Sequence, residues 1–218
     1  MVKKIYLFLV LLFLITYSFS QDNMVKLPLP KKEGRISVEA ALSLRRSIRE
    51  YLPLPLKVEE VSQLLWAAYG KSNYKLTSPS AGALYPLKIY VLIGNVDNIP
   101  VGFYRYDNQY HALIELSTKD FREKLCYAAL SQESIKNAPF VILICADYNI
   151  TMSTYGERGR RYVDIEVGHV GQNIYLETTA LNLGTVAIGA FNDKEVKEIL
   201  RIKEEPIYIM PVGRPKEK

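Results

Sequence analysis

The run Phe140 to Ala146 constrains the fold more than any other feature, because its residues are all apolar. Its length suits a strand, and an unbroken apolar run of this length is typical of a strand that is buried on both faces. The sheet that contains it must therefore be covered on both sides.

The spacing of apolar residues divides the rest of the chain into helices and strands. We expect Ser37 to cap the first helix and Gly70, in a left-handed conformation, to end the second. Thr118 is the expected cap of the third helix, and a loop is expected over 149–160. The predicted helices are 37–46, 58–69, 118–130, 161–183 and 193–202, and the predicted strands are 89–93, 102–106, 110–116, 140–146, 185–188 and 207–212.

Helices precede, interrupt and follow the strands, and Asp107-Asn108-Gln109 joins two strands in a hairpin. The sequence therefore predicts an α+β fold in which helices flank a mixed or antiparallel β-sheet. The helix over 161–183 is apolar on most of its surface, so we expect it to be buried nearly all round. One folding unit is expected over 36–218, after an extended, proline-containing arm over 21–35.

The amino terminus has the features of a secretory signal peptide. Two lysines precede an apolar run over 5–15, and small residues stand at positions 18 and 20, before polar Gln21. The run is shorter than the roughly 20 residues that cross a bilayer as a helix. We expect residues 1–20 to direct export and to be removed, with an uncleaved membrane anchor as the alternative.

Charge and metal-binding residues argue against two classes of function. The formal net charge of +5 falls to +3 (5 − 2) without the two lysines of the signal peptide, and both signs are spread along the chain, so nucleic-acid binding is not predicted. His111 and His169 are the two histidines, too few ligands for a zinc site. Cys126 and Cys145 either pair in an oxidising compartment or are two small buried side chains.

Arg45, Arg46 and Arg49 surround Ser47 at the predicted end of the first helix. Guanidinium groups present paired N–H donors that match phosphate oxygens, and they keep their charge at every working pH. The cluster therefore predicts a phosphate-binding site. The alternative is a solvated basic helix terminus that complements the helix dipole.

Three further segments combine small residues with a loop or a strand end. The loop over 77–86 carries hydroxyls and small side chains before a strand, which suits either the flank of a flat ligand or a rigid connection. Gly189 and Ala190 end a strand with almost no side chain, as a binding surface or a tightly packed strand end would. Arg214 follows the last predicted strand.

Together these four segments resemble the nitroreductase superfamily. They match, in order and spacing, its Arg-Arg-Ser-x-Arg phosphate motif, its Pro-Ser loop, its Gly-rich strand end before Phe-Asp or Phe-Asn, and its closing Val-Gly-Arg-Pro, over residues 36–215. The loop over 79–86 and the Gly-His-x-x-Gln-Asn stretch over 168–173 are most similar to the SagB-type dehydrogenases. The resemblance implies a nitroreductase-like fold, FMN bound without a Rossmann fingerprint, and a homodimer with the flavin at the subunit interface.

The resemblance also implies which residues bind FMN. The phosphate and ribityl chain would be held by Arg45, Arg46, Ser47, Arg49 and Arg214. The isoalloxazine would be lined by Pro79, Ser80, Ala81, Gly82 and Ala187, with the amides of Gly189 and Ala190 near flavin N5. The protein would orient and tune the flavin, which carries out the chemistry.

The candidate catalytic residues are Tyr162 and Arg161, which align with a Lys-Tyr pair in members that oxidise azoline rings. Because the lysine is absent, azoline oxidation is not predicted. Tyr162 could donate or accept a proton, with Asp164 orienting it or Arg161. The alternative is a tyrosine and an ion pair at a helix start.

The expected function is FMN-dependent oxidoreduction, in which hydride passes between a donor such as NAD(P)H and a nitro, quinone or other conjugated small molecule. Gly189-Ala190 stands where many nitroreductases have Glu-Gly, and Ala83 stands where they have Asn. Because Gly189-Ala190 lacks the Glu and Arg161 stands in place of the Lys, a flavin- or ligand-binding protein of the same fold, without turnover, is the alternative. NAD(P)H is a cytoplasmic donor, so export leaves the reductant open.

Overall fold

The structure, a computed structural model, describes residues 24–73 and 75–216. Its strands are β1 (Met24–Lys26), β2 (Lys71–Ser72), β3 (Lys75–Leu76), β4 (Leu87–Ile93), β5 (Gly102–Asp107), β6 (Ala112–Ser117), β7 (Phe140–Ala146), β8 (Gly184–Thr185) and β9 (Glu205–Gly213). Its helices are α1 (Val38–Leu44), α2 (Val58–Tyr69), α3 (Arg122–Ala128), α4 (Glu133–Asn137), α5 (Tyr148–Tyr155), α6 (Arg158–Ala180) and α7 (Asp193–Leu200), with a 3₁₀ turn at Ala81–Ala83.

Strand β7 lies between β4 and β9 in a seven-stranded sheet of order β1-β6-β5-β4-β7-β9-β8. Ile142 and Ile144 face a core shared with α2 and α6, whereas Val141 and Leu143 face a second core shared with α3 and α7. Alternate side chains of one strand thus enter two cores, which is why the whole run is apolar. The prediction of a central strand buried on both faces is confirmed.

All pairs of named strands are antiparallel. Parallel pairing is limited to isolated bridges such as Ser47 with Thr185. The predicted α+β fold, with helices on a mixed or antiparallel sheet, is confirmed, and the hairpin between β5 and β6 is present as expected.

One of the three predicted helix signals is correct. The Ser37 hydroxyl accepts a hydrogen bond from Ala40 N, so it caps α1 as predicted. Gly70 ends α2 in an extended conformation, so the left-handed prediction is wrong; a Cβ there would stand 2.6 Å from Trp66. Thr118 is not a cap, since α3 starts later, at Arg122. Asp120 accepts a hydrogen bond from the Arg122 amide and forms an ion pair with its guanidinium.

The loop expected over 149–160 is largely helical. Helix α5 starts after Asp147, whose carboxylate accepts a hydrogen bond from Asn149 N, and it ends at Gly156, which has a φ of 56°. Its residues have little apolar periodicity, so the sequence signal was weak. The long helix α6 follows almost at once, and Gly159 lies where a Cβ would contact the backbone of Met152 at 2.9 Å.

Helix α6 is buried along one side through Val163, Val167, Val170 and Ile174. Ile165 on the opposite side is 47% exposed. The prediction that this helix is buried nearly all round is therefore wrong for the single chain. An exposed strip of α6, which includes Ile165, is therefore not covered by the other described residues.

Residues 1–20, the expected signal peptide, lie outside the described residues. From Met24 to Lys26 the arm forms β1, which pairs with β6 at the edge of the sheet. Within residues 24–73 and 75–216, no helix is both long and apolar enough to cross a membrane. Cys126 and Cys145 are free and buried, which agrees with the reading as two small core side chains.

Candidate functional site

The arginine segment, Arg45 to Arg49, follows α1 and is hydrogen-bonded to the end of the sheet. Ile48 N donates a 2.8 Å hydrogen bond to Thr185 O in β8, and Ser47 forms a bridge with the same residue. Arg46 and Arg49 are exposed on this segment. The structure thus presents guanidinium groups at the surface beside a strand end, where their paired donors could bind a phosphate.

Tyr175 in α6 connects the arginine segment to the strand end, which includes Ala187, Gly189 and Ala190. Its hydroxyl lies 2.9 Å from Ser47 Oγ and accepts a 2.8 Å hydrogen bond from Ala187 N. The Arg45 guanidinium lies over its ring, 5.1 Å from the centroid, within cation–π range. Sequence reasoning missed Tyr175, although it follows the Gly-His-x-x-Gln-Asn stretch by two residues.

The backbone of Arg214 is hydrogen-bonded to the chain just beyond Arg49, since Leu52 N donates to Arg214 O at 2.9 Å. Its guanidinium, however, donates to both carboxylate oxygens of Glu60, at 3.0 and 2.9 Å. Both side chains are mostly buried. Arg214 therefore has a charged partner already, and Glu60 is a site-adjacent residue that no sequence motif indicated.

The Pro-Ser loop before β4 is anchored to the helices beneath it. Ser78 is fully buried; its hydroxyl donates to Ala68 O and accepts from Asn173 Nδ2, at 2.9 and 3.0 Å. Asn173 also donates to Ala67 O at 3.0 Å. Pro79 and Gly82 remain exposed above these anchors, as a ligand-contacting loop requires.

The backbone of this loop is in a conformation that side chains disfavour. Gly82, Ala83 and Tyr85 have φ values of 60°, 53° and 51°. Left-handed conformations are uncommon for residues other than glycine, so surrounding contacts must maintain them. One such contact is a 2.9 Å hydrogen bond from Tyr85 N to Ser80 Oγ.

A buried acid lies under the loop. Glu166 in α6 is 2% exposed, accepts a 2.7 Å hydrogen bond from Tyr69 Oη, and also accepts one from Ser80. Burial raises the pKa of Glu166 above its ordinary value, and the bonds from Ser80 and Tyr69 oppose that shift. Neither Glu166 nor Tyr69 was predicted, because their partners are remote in sequence.

Gly189 and Ala190 are exposed at the end of the sheet. Tyr208 fills the space between helix and strand end, where a Cβ on Gly171 or on Gly189 would lie 3.5 Å from its ring. Ala190 O accepts from Gln132 Nε2 at 3.1 Å. Among the residues that the structure describes, no backbone acceptor lies within hydrogen-bond distance of the amides of Gly189 and Ala190, so both are available as donors.

The candidate catalytic pair lies at the amino-terminal end of α6. Asp164 accepts a 2.6 Å hydrogen bond from Tyr148 Oη, a partner that the sequence did not indicate. Tyr162 instead packs edge-on against Tyr155, with ring centroids 5.2 Å apart. Arg161 is exposed.

Tyr155 connects Tyr162 to the Pro-Ser loop. Its hydroxyl lies 2.8 Å from the position that a Cβ of Gly82 would occupy, so a side chain there would collide with it. The ring of Tyr155 thus lies between Tyr162 and Gly82 of the Pro-Ser loop. The candidate proton-transfer group is therefore close to a segment predicted to line the flavin ring.

The predicted segments lie on different sides of α6. With 3.6 residues per turn, Glu166 and Asn173 face the Pro-Ser loop, whereas Gly171 and Tyr175 face the strand end and the arginine segment. Between the two sides runs an exposed strip of α6: Ile165, Gly168, His169 and Gln172. Among the described residues no group of three or more His, Cys, Asp or Glu could hold a metal ion.

Comparison with known proteins identifies the family. The model of the nitroreductase family matches residues 42–214, and the chain belongs to this family. It is 47% identical over 194 residues to a putative nitroreductase of Methanocaldococcus jannaschii, a match that covers 88% of this chain and 98% of that protein.

Many solved structures are similar, and two of them represent the fold. A putative nitroreductase from Ralstonia eutropha superposes with a TM-score of 0.79 and 27% identity, over 90% of this chain and 91% of that one. The NADPH:FMN oxidoreductase of Vibrio harveyi, solved with NAD+, gives a TM-score of 0.61 at 18% identity, over 83% of this chain and 69% of that one. The nitroreductase-like fold predicted from the sequence is confirmed.

Proposed function

We propose that this protein is an FMN-dependent oxidoreductase of the nitroreductase type. The observation that carries the proposal is the Tyr175 hydroxyl, which lies against Ser47 of the arginine segment and Ala187 of the strand end. Two segments that are remote in sequence, each suited to a different part of a flavin nucleotide, therefore meet at one place. The same fold serves the NADPH:FMN oxidoreductase of Vibrio harveyi.

The residues present fit FMN. Arg45, Arg46 and Arg49 offer paired donors to a phosphate and Ser47 offers a hydroxyl, so no Rossmann loop is needed. Gly189 and Ala190 are exposed, and neither has a side chain larger than a methyl group. A flat ring could therefore approach their backbone amides. Arg214 could bind the phosphate only while its guanidinium is also paired with the Glu60 carboxylate.

When bound, FMN would supply hydride transfer between a donor and an acceptor. In our proposal the Pro-Ser loop, Pro79 to Gly82, would hold the ring, and the amides of Gly189 and Ala190 would donate hydrogen bonds to it. Tyr162, held by Tyr155 beside Gly82, exchanges a proton with the substrate, and Arg161 adds positive charge nearby. A nitro, quinone or other conjugated small molecule is the proposed acceptor.

We further propose a homodimer with the flavin at its interface. Val38, Leu42 and Leu44 of α1 are 63%, 52% and 65% exposed, and Ile165 of α6, a helix that packs against α1, is 47% exposed. Exposed apolar side chains on two neighbouring helices suit an interaction site. A second copy is the occupant we propose, because the strip containing Ile165 runs between the two sets of cofactor segments.

Ile165→Glu tests the dimer. In a single chain the substitution is on the surface and should change stability by less than about 0.5 kcal/mol. In a dimer that buries this strip, it should convert the protein to monomers in sedimentation experiments and release FMN. Leu116→Glu, at an aliphatic residue that is also 47% exposed, is the matched control. A variant that stays dimeric and yellow would overturn the proposed interface.

The absorbance spectrum of the purified protein, before and after NADH or NADPH, tests the function. A yellow protein that either nucleotide bleaches supports the oxidoreductase. A yellow protein that only dithionite bleaches favours the alternative, a flavin-binding protein without turnover, or a donor other than NAD(P)H. A colourless protein that takes up no FMN would exclude both.

Arg46→Ala combined with Arg49→Ala tests the phosphate assignment. The double variant should lose FMN on gel filtration, since two guanidinium groups are removed from the proposed phosphate site. Lys194→Ala with Arg201→Ala, which removes two exposed cations from α7 and its C-cap, should retain it. Full retention of FMN by the first variant would refute the assignment.

We also propose that residues 1–20 direct export, with an uncleaved anchor as the alternative. Two lysines before an apolar run support this proposal. Amino-terminal sequencing of the mature protein would give Gln21 as the first residue. An intact Met1 in the cytoplasmic fraction would refute it.

A further inference from the structure

We propose that Tyr175 is a positioning residue that gives this site its selectivity for a phosphorylated flavin over the dephosphorylated one. The proposal rests on the proposed FMN function and deepens it. It concerns a side chain that no motif in the sequence indicates and that need not itself touch the ligand.

The hydroxyl of Tyr175 joins a backbone amide of the strand end to a side chain of the arginine segment. Ala187 N donates to it at 2.8 Å, which occupies one of its two lone pairs. Ser47 Oγ is 2.9 Å away on its other side. The Ser47 side chain, which would otherwise rotate freely at the surface, is thereby held in one orientation relative to the strand end.

The ring of Tyr175 acts on a different residue. The Arg45 guanidinium lies 5.1 Å from the ring centroid, where the negative face of the π-system attracts it. Arginine loses considerable rotamer freedom when it is fixed, so a guanidinium that is positioned before the ligand arrives binds phosphate more tightly. One side chain thus orients both a cation and a hydroxyl of the arginine segment.

Tyr175 is itself held firmly by the helix. Its carbonyl oxygen accepts hydrogen bonds from the hydroxyls of Thr178 and Thr179, at 2.9 and 2.8 Å. The ring is partly buried against the core shared by α2 and α6. The support is therefore rigid, as a residue that positions others requires.

Comparing FMN with riboflavin separates this role from a general structural one. Tyr175→Phe keeps the ring beneath Arg45 and removes the hydroxyl, so the Kd for FMN should rise about fivefold, as for the loss of one net hydrogen bond. Tyr175→Leu also removes the ring and should raise it about fivefold further. Riboflavin has no phosphate, so in both variants its Kd should rise less than that of FMN.

Two further variants complete the test. Tyr127→Phe, on an exposed tyrosine of α3, should bind both flavins as the unmodified protein does. Ser47→Ala breaks the same contact from the other side, so adding it to Tyr175→Phe should cost less than the sum of the two single changes. Thermal unfolding checks that each variant is folded.

The outcomes are distinct. If the unmodified protein binds no FMN, the proposed function fails and the inference fails with it. If the unmodified protein binds FMN but Tyr175→Phe changes neither Kd, or weakens FMN and riboflavin equally, only the positioning role is overturned. A selective loss of FMN affinity supports it.

Discussion

The Tyr69 hydroxyl donates a 2.7 Å hydrogen bond to Oε1 of Glu166, and both residues are at most 3% exposed. Ser80 donates to the same carboxyl group from the Pro-Ser loop. An acid and a phenol thus share a water-poor site under a loop that we assign to the flavin ring. Because burial raises the pKa of Glu166, its negative form costs free energy in the folded state.

Glu166 makes stability depend on pH in a predictable direction. The folded state binds the proton more tightly than the unfolded chain, so the stabilising effect is complete below the ordinary pKa of 4.5 and is lost as pH rises toward the raised value. Glu166→Gln cannot ionise. The free energy of unfolding of this variant minus that of the unmodified protein should therefore increase as pH rises above 4.5, by up to about 1.4 kcal/mol per unit within that window.

Urea denaturation at several pH values measures the difference. Glu123→Gln, at an exposed acid of α3, is the control and should follow the unmodified protein. A difference for Glu166→Gln that stays constant with pH would show that the buried carboxyl group does not change its protonation there.

Asn173→Ala should destabilise the protein by about 1–3 kcal/mol, because it removes the amide that donates to both Ala67 O and buried Ser78. The base of the Pro-Ser loop would lose its tie to α6, so FMN affinity should fall as well. Denaturation and flavin titration give the two quantities. Asn149→Ala, at an exposed asparagine, should change neither by more than about 0.5 kcal/mol.

Glu60→Gln should tighten FMN binding about two- to fivefold. The change removes the negative charge that now neutralises Arg214, while the amide oxygen can still accept from Lys57 N at the start of α2. The gain should shrink at high salt. Titration at two ionic strengths, with Glu59→Gln as the exposed control, measures it. An unchanged Kd would place Arg214 outside the phosphate site.

Gly184→Ala should weaken both the fold and the phosphate site. A Cβ on Gly184 would stand 2.8 Å from the side chain of Ile48, between Ser47 and Arg49, so the arginine segment must move. Overpacking of this kind costs about 1–3 kcal/mol, and FMN affinity should fall with it. Gly34→Ala, where the nearest atom is 3.8 Å away, is the control. Equal stability of both variants would contradict the crowding.

The layered fold was predictable because local sequence patterns, such as apolar runs and helix caps, indicate its elements. Every residue of β7 is apolar since both of its faces are covered, and Ser37 caps α1 with a contact three residues away. Helix α5 was not predictable, because its contacts with α6 depend on close backbone approach at Gly159 rather than on an apolar stripe.

The candidate site was predictable only in part for a related reason. Arg45 and Ser47 stand out because their residue types suit phosphate, whereas Tyr175 acts through partners that lie 128 and 12 residues away. A tyrosine in an apolar helix resembles any other core residue until its neighbours are known. Glu166 is equally inconspicuous in sequence, since its importance comes from being buried.

The left-handed conformations at Gly82, Ala83 and Tyr85 have a kinetic and entropic consequence. Folding has already restricted this loop, through Ser80 Oγ and the buried anchors beneath it. A ligand arriving at the loop would meet a preorganised surface and would lose little conformational entropy on binding. Its association should then be limited by diffusion and orientation rather than by rearrangement of the Pro-Ser loop.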